Sequence, residues 1–252
     1  MKSYVLSSGS KGNCTLVCCK TCNILIDVGI SYNDLVHKLD EIKYKPCDID
    51  YVFITHEHTD HINGLRVFLN HNKPYVYVSE KISNILFGDT KQENVIYLSN
   101  HIDVSGVCIT CMALSHDSAS IHGFVIEDNS SSLVYLTDTG YIHMKYYKYL
   151  INRNYYIIES NHDIEMLLNG RYPSYLKQRI LSDKGHISNT MCGNYLSEFI
   201  GSDTKEVILA HLSEENNTPD KAIETVNNVL INNGVTFNNI KCANQKIIVE
   251  VK

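Results

Sequence analysis

Several things this chain does not contain narrow its possibilities first. No apolar run in its 252 residues approaches the roughly 18 residues a membrane-crossing helix needs. The opening residues, Met1-Lys2-Ser3-Tyr4-Val5-Leu6-Ser7-Ser8, hold no apolar segment long enough for an export signal. A cytoplasmic location and no membrane partner are therefore expected. There is no basic excess. Lys and Arg number 22 against 28 Asp and Glu, a net charge of −6. That argues against indiscriminate binding of nucleic acid by charge alone, although bound cations or a local basic strip can act within an acidic average. Linkers, repeats and low-complexity tracts are also missing, so residues 1–252 read as one compact domain. With 44% apolar and 20% charged residues, that domain has the composition of an ordinary globular protein.

Cysteine is present but not in the pattern of a disulfide framework. The nine cysteines are odd in number and irregularly spaced. Cys18, Cys19 and Cys22 bracket an expected hairpin turn at Lys20-Thr21. Cys108 and Cys111 sit in the strand-like run Val107–Met112, where a spacing of three puts them on opposite faces. They make a poor metal or redox pair and read most simply as small apolar residues.

The concentration of function lies in Thr55-His56-Glu57-His58-Thr59-Asp60-His61, directly after the apolar run Tyr51-Val52-Phe53-Ile54. Three of the chain's twelve histidines and one aspartate fall within six positions here. The pattern is H-x-H-x-D-H, not the helical zinc-protease pattern H-E-x-x-H, because position 60 is Asp. His56 and His58, two apart, point the same way in extended backbone. Asp60 and His61 follow a bend and can serve a second ion. Imidazole and carboxylate donors suit Zn, Mn or Fe.

The rest of the chain alternates strands and helices. Strands are expected at Tyr4–Leu6, Cys14–Cys18, Asn23–Ile26, Tyr75–Val78, Val95–Leu98, Val107–Leu114, Gly123–Ile126 and Leu133–Leu136. Further strands are expected at Tyr155–Ile158, Glu206–Ala210 and Lys246–Val251. Helices are expected at Ser31–Leu39, Ile62–Asn70, Glu80–Leu86, Ile142–Leu150, Asp163–Leu168, Tyr172–Leu181 and Thr190–Phe199, and after Thr218-Pro219. The loop Ser7–Asn13 reads as a tight hairpin turn or as a nest of backbone N–H groups for an anion. Three more ligand-type residues each follow an apolar strand: His116, Asp138 in Thr137-Asp138-Thr139-Gly140, and His211. Each alone is also an ordinary loop or turn residue. Their recurrence at strand ends favours the metal reading.

The order His56, His58, Asp60, His61, His116, Asp138, His211 resembles the metallo-β-lactamase superfamily. More closely, Ser8-Gly9-Ser10-Lys11-Gly12-Asn13, Glu159-Ser160-Asn161-His162-Asp163, Gly185-His186-Ile187-Ser188-Asn189 and His211-Leu212-Ser213 are similar to its bacterial YycJ/WalJ family. The resemblance implies an α+β fold, an αββα sandwich of two mixed β-sheets flanked by helices. It implies two divalent ions, Zn or Mn. One ion would be held by His56, His58 and His116, the other by Asp60, His61 and His211, with Asp138 bridging. Glu159 and His186 are similar to a pair in the superfamily's tRNA 3′-processing nucleases, which implies Glu159 as orienter and His186 as general acid. Asn161, His162 and Asp163 are expected to support the site.

The function expected is a metal-dependent phosphodiesterase in which a hydroxide held by two ions attacks phosphorus, with Asp60 helping to orient it. The family resemblance implies 5′→3′ exonuclease activity on DNA. A thioester or lactone hydrolase of the glyoxalase II kind is the alternative on the same scaffold. A non-catalytic scaffold is a third reading, disfavoured by the full ligand set.

Overall fold

A computed structural model describes residues 1–88 and 93–252. The first half of the chain forms β1 (Lys2–Ser7), β2 (Cys14–Cys18), β3 (Asn23–Ile26), α1 (Tyr32–Glu41), β4 (Tyr51–Phe53), α2 (Thr59–Ile62), α3 (Leu65–His71), β5 (Tyr75–Val78), α4 (Glu80–Phe87) and β6 (Val95–Tyr97). Then follow β7 (His101–Val104), β8 (Val107–Ala113), β9 (His122–Glu127), β10 (Ser132–Leu136), α5 (Tyr147–Leu150), β11 (Tyr155–Glu159), α6 (Ile164–Asn169), α7 (Ser174–Ile180), α8 (Asn189–Phe199), β12 (Glu206–Ala210), α9 (Pro219–Asn232), β13 (Ile240–Cys242) and β14 (Val249–Val251).

Among the described residues the strands form two sheets of seven, β14-β1-β2-β3-β4-β5-β6 and β13-β12-β11-β10-β9-β8-β7. The two-residue alternation of a strand decides which layer each side chain joins. Ile24, Ile26, Leu133, Tyr135, Tyr155 and Ile157 point between the sheets. The residues interleaved with them point outward. Leu25 packs with Leu35, Leu39, Leu65 and Phe68 on one side. Val134, Tyr156 and Ile158 pack with Leu196, Phe199, Val226 and Leu230 on the other. Both faces of each sheet are therefore buried, which is why the strands read as nearly continuous apolar runs. Each side chain so buried contributes about 1.5–3 kcal/mol. Phe53 ties the sheets together: it stacks on Tyr77 at 4.6 Å and meets Phe124 edge-on at 5.5 Å. The resulting αββα sandwich is the fold class the sequence led us to expect.

Strand direction positions the site. β3, β4, β5 and β6 are mutually parallel, and so are β10, β11, β12 and β13. β8 and β10 each run antiparallel to β9, so their carboxyl ends lie at the same edge. By the same reasoning β1, two antiparallel steps from β3, delivers the Ser8–Asn13 loop to the edge where β3 and β4 end.

Some elements differ from expectation. The helix expected over Ile62–Asn70 is two, α2 and α3, broken at Asn63-Gly64. Gly64 lies against the Ile30 carbonyl, which an added Cβ would meet at 2.1 Å, and its N–H donates to Val28 O at 2.8 Å. The expected helix Ile142–Leu150 is only a 3₁₀ turn, Met144–Tyr146, followed by α5. The Ile142 N–H donates instead to the Tyr195 hydroxyl at 3.0 Å. β7 and β13 were not expected from the sequence. They are the two edges of their sheet, where exposure leaves little apolar signal. The closing strand is shorter than expected, with only Val249–Val251 paired to β1. Cys111 is buried and Cys108 exposed, as opposite faces require.

Candidate metal centre

Every expected ligand stands at the carboxyl end of a strand or just beyond it. His56 and His58 follow β4, and Asp60 and His61 lie on the short α2 that turns back under β3. His116, Asp138 and His211 follow β8, β10 and β12. Asp27, Asp138 and His211 have φ of 60°, 58° and 54°. A non-glycine residue in this left-handed region costs energy that the surroundings must offset, and such residues gather at functional sites. Here the chain turns sharply as β3 of one sheet and β10 and β12 of the other reach the edge.

The structure brings all seven together. Donor atoms of His56, His58 and His116 lie within 4.8 Å of one another, as do those of Asp60, His61 and His211, and those of His56, His61 and Asp138. Asp138 also groups with Glu159, His186 and His211 within the same distance. It is thus shared between the clusters.

Each imidazole has one nitrogen committed elsewhere, which leaves the other for the centre. His56 Nδ1 is 3.0 Å from Thr55 Oγ1, whose hydroxyl donates to Asp27 Oδ2 at 2.8 Å. His116 Nδ1 donates to Gly185 O at 3.1 Å, and His58 Nε2 to Asp117 O at 3.0 Å. His61 Nδ1 donates to Asp27 Oδ2 at 2.7 Å, and His211 Nδ1 to Glu159 Oε1 at 3.0 Å. The inward nitrogens are therefore Nε2 of His56, His61, His116 and His211 and Nδ1 of His58.

Whether a metal fits can be judged from what those inward atoms meet. Among the described residues, the buried His56 Nε2, His211 Nε2 and Asp138 Oδ2 have no hydrogen-bond partner. Asp138 Oδ2 is 3.2 Å from His61 Nε2. With the His61 proton on Nδ1, two lone pairs face each other there. Buried donors so arranged need a cation. Nitrogen and oxygen donors without sulfur fit a divalent ion of the Zn or Mn kind.

The electrostatics agree. Burial alone would push Asp138 up, yet the His211 and His61 imidazoles hold its carboxyl well below the carboxylate range. Burial also opposes ionisation of Asp60, and the neighbouring His211 and His61 imidazoles, 3.6 and 3.5 Å from its Oδ2, overcome it. Burial drives His56 and His116 down, which keeps them neutral and able to ligate. His211 goes the other way. Against the effect of burial, the nearby Asp138 and Asp60 carboxylates and the bond to Glu159 raise it to about 10. Protons thus offset the carboxylates where a divalent cation would displace them.

Glu159 ends β11 and is fully buried. Its Oε1 accepts from His186 Nδ1 at 2.6 Å as well as from His211, and its Oε2 accepts from the Thr139 N–H at 2.9 Å. Burial would raise its carboxyl, but the His186 and His211 imidazoles hold it at about 2. His186 keeps 20% of its side chain exposed and lines a cavity of about 290 Å³ together with His58, His116 and Tyr172. The family resemblance implied a pairing of Glu159 with His186. The structure adds His211 to the same carboxylate.

Two residues escaped the sequence reading. Asp27 holds His61, Thr55 Oγ1 and, through Oδ1, the Thr55 N–H at 2.8 Å. It follows the apolar run Asn23–Ile26, the same strand-end signal that singled out Asp138. Asn13 had only the family-like loop to recommend it. The loop is the turn between the antiparallel β1 and β2, and it also reaches the centre. Asn13 Nδ2 lies 3.2 Å from Asp60 Oδ2 and 3.0 Å from His61 Nε2, and Asn13 N donates to Asp60 O at 2.7 Å. Of the three residues expected as support, Asn161 donates to the His211 carbonyl at 2.9 Å. Asp163 instead caps α6. His162 is buried beside Ser188, with Nδ1 3.4 Å from Asn161 Oδ1.

Comparison with known proteins follows the same outline. Over 236 residues the chain is 35% identical to a protein of Streptococcus pneumoniae serotype 2 named exodeoxyribonuclease WalJ, covering 91% of this chain and 88% of that one. It is 34% identical over 235 residues to exodeoxyribonuclease YycJ of Bacillus anthracis, covering 91% and 89%. In structure it is similar to the metallo-β-lactamase-fold protein YhfI of Bacillus subtilis, with a TM-score of 0.74, 17% identity and coverage of 99% and 98%. It is also similar to the short form of human tRNase Z, with a TM-score of 0.67, 15% identity and the same coverage. At those identities the two structures speak for the fold. The profile described as "Metallo-beta-lactamase superfamily" matches residues 8–211. That span opens on the loop whose Asn13 contacts Asp60 and closes on His211, and the chain belongs to the metallo-β-lactamase superfamily.

Proposed function

We propose that the protein is a metal-dependent phosphodiesterase acting on nucleic acid, a 5′→3′ exonuclease on DNA. His56, His58 and His116 would hold one divalent ion, and Asp60, His61 and His211 a second, with Asp138 between them. Zn and Mn both suit this donor set. Bound there, such a pair polarises phosphoryl oxygens and supplies a nucleophile at neutral pH.

The observation that carries the reading is the Glu159–His186 pair at 2.6 Å, set at the mouth of the donor cluster. Displacing an alkoxide from phosphorus requires a proton for the leaving oxygen. Glu159 fixes the His186 Nδ1 proton and so orients the ring, and as general acid His186 would carry a second proton on Nε2. The Nε2 proton is then free to move to the leaving oxygen. A thiolate leaves without such help, so this pair disfavours the thioester alternative. Asp60 keeps 23% of its side chain exposed while Asn13 holds its Oδ2, so it can orient the proton of the attacking water. The names of the bacterial relatives support DNA as the substrate and exonuclease as the mode.

Two measurements test this. His186→Ala should slow a phosphodiester with a poor leaving group by roughly 10²–10⁴-fold and leave one with a good leaving group little changed. An equal loss on both would remove His186 as the acid. End-labelled single- and double-stranded DNA and RNA, digested with Mn or Zn, should release mononucleotides from the 5′ end of DNA. No release from any of them by metal-loaded protein would overturn the nuclease reading.

A further inference from the structure

The cavity beside the donor cluster has a wall whose charge runs against that of the chain. Residues 170–185 carry Arg171, Lys177, Arg179 and Lys184 against one acidic residue, Asp183, in a protein of net charge −6. Not all four cations are available. Lys177 Nζ donates to the Leu168 carbonyl at 2.6 Å. Arg179 and Lys184 line the cavity, with Tyr172 and Leu176 beside them. Lys184 is exposed, and among the described residues its ammonium has no ion-pair partner. Arg179 is held by Asp117 Oδ2 at 2.7 Å, but these side chains are 57% and 56% exposed. So exposed a pair is weak, and a phosphate can share or replace the carboxylate in the guanidinium fork.

The backbone that carries Lys184 is tied to the centre. The Asp117 N–H donates to the Lys184 carbonyl at 3.1 Å, and the Asp117 carbonyl accepts from His58 Nε2 at 3.0 Å. Asp117 is also the chain neighbour of His116, and Lys184 lies two residues before His186. The loop carrying the cations is thus joined through backbone to two inward-facing imidazoles and to the acid. Nothing in the chemistry at the metal ligands requires a second cationic group here. A substrate with a second phosphate does.

We infer that Arg179 and Lys184 form a phosphate subsite for the backbone phosphate adjacent to the scissile one, with Tyr172 and Leu176 against the sugar and base between the two. The inference deepens the nuclease reading and rests on it. A cavity of about 290 Å³ is at the small end of ligand pockets and suits about one nucleotide. Arg179 supplies a planar fork and Lys184 a point charge, and both suit a phosphate oxygen.

The test compares two substrates. A short single-stranded oligodeoxynucleotide has a phosphate next to the scissile one, and bis(p-nitrophenyl) phosphate has none. For Arg179→Ala and for Lys184→Ala, KM for the oligonucleotide should rise about tenfold with kcat nearly unchanged, the effect of losing one charge-assisted hydrogen bond. Kinetics on the small diester should not change. The slope of log KM against log salt should shrink by about one per residue removed. Replacing the adjacent phosphate with a neutral methylphosphonate should raise KM for the wild type and have no effect on the double variant. Equal losses on both substrates, or an unchanged KM for the oligonucleotide, overturn the subsite alone. Wild-type protein that hydrolyses the small diester but leaves the oligonucleotide intact overturns the nuclease reading, and the subsite with it.

Discussion

The two sheets contribute to the candidate centre in different ways. The half built on the first sheet is local: His56, His58, Asp60 and His61 lie within six residues. They are held by groups packed against the same short turn. Asp27 binds His61, Asn13 binds Asp60, and Gly29 lies so close that a Cβ there would meet the Asp60 carbonyl at 1.7 Å. The half built on the second sheet is dispersed. His116, Asp138, Glu159, His186 and His211 come from five separate stretches of chain and meet only because β8, β10, β11 and β12 end at one edge. Glu159 substitutes for sequence proximity by binding two imidazoles through one oxygen. The first half is a motif that the fold holds still, and the second is a product of strand register.

Asp138 belongs to both halves, so its loss should have the largest effect. Asp138→Ala removes the carboxylate shared by the donor clusters and takes away a carboxylate that both His61 and His211 face. Bound metal, measured by elemental analysis after metal-replete purification, should fall from about two ions per chain to one or fewer. Phosphodiesterase activity should become undetectable. Two ions retained in this variant would remove the bridge from the proposal and make the halves independent.

Next come the two carboxylates that hold imidazoles from behind. Outer partners of this kind are worth about 10–100-fold in metal affinity or activity. Asp27→Asn alters the support of His61 alone among the donors whose bond it receives directly, whereas Glu159→Gln alters both His211 and His186. Glu159→Gln should therefore cost more activity, with its loss greatest on diesters with poor leaving groups. Asp27→Asn should weaken metal binding and affect all substrates alike. If the two variants have the same leaving-group dependence, Glu159 acts only through His211.

The same contrast explains what could be read in advance. His56, His58, Asp60 and His61 are legible in sequence because they are contiguous and follow a buried strand. His116, Asp138 and His211 are individually ordinary, and only their repeated place after apolar strands and their likeness to a family's order pick them out. Alternation of Ile24, Leu25 and Ile26 between two cores makes the central strands visible. The edge strands β7 and β13 were missed because one neighbour and partial exposure demand little apolar character. The break at Gly64 was missed for another reason. Its cause is the Ile30 carbonyl, which lies more than thirty positions away in sequence. Asn13 was likewise invisible as a site residue, since a loop near the start of the chain reaches Asp60 only through the β1–β2 pairing.

The smallest expected effects come from a pair of glycines, one in each half, where backbone passes too close for a side chain. Gly29→Ala would place a Cβ 1.7 Å from the Asp60 carbonyl oxygen, and Gly140→Ala one 2.2 Å from that of Asp183. Neither glycine needs a left-handed φ, so the conflict is steric only. Overpacking costs typically about 1–3 kcal/mol, and a backbone obstacle puts these two at the upper end of that range or above it; each kcal/mol lowers the melting temperature by about 2–4 °C in a domain of this size. Thermal unfolding followed by circular dichroism should find both variants folded and destabilised to this extent. Their functional effects should separate along the line between the halves. Gly29→Ala displaces Asp60 and should lower metal affinity. Gly140→Ala displaces Asp183, three residues from His186, and should leave metal content intact while slowing diesters with poor leaving groups. If Gly140→Ala instead loses metal, the second half is as tightly packed around the ions as the first, and position in sequence rather than rigidity is what distinguishes them.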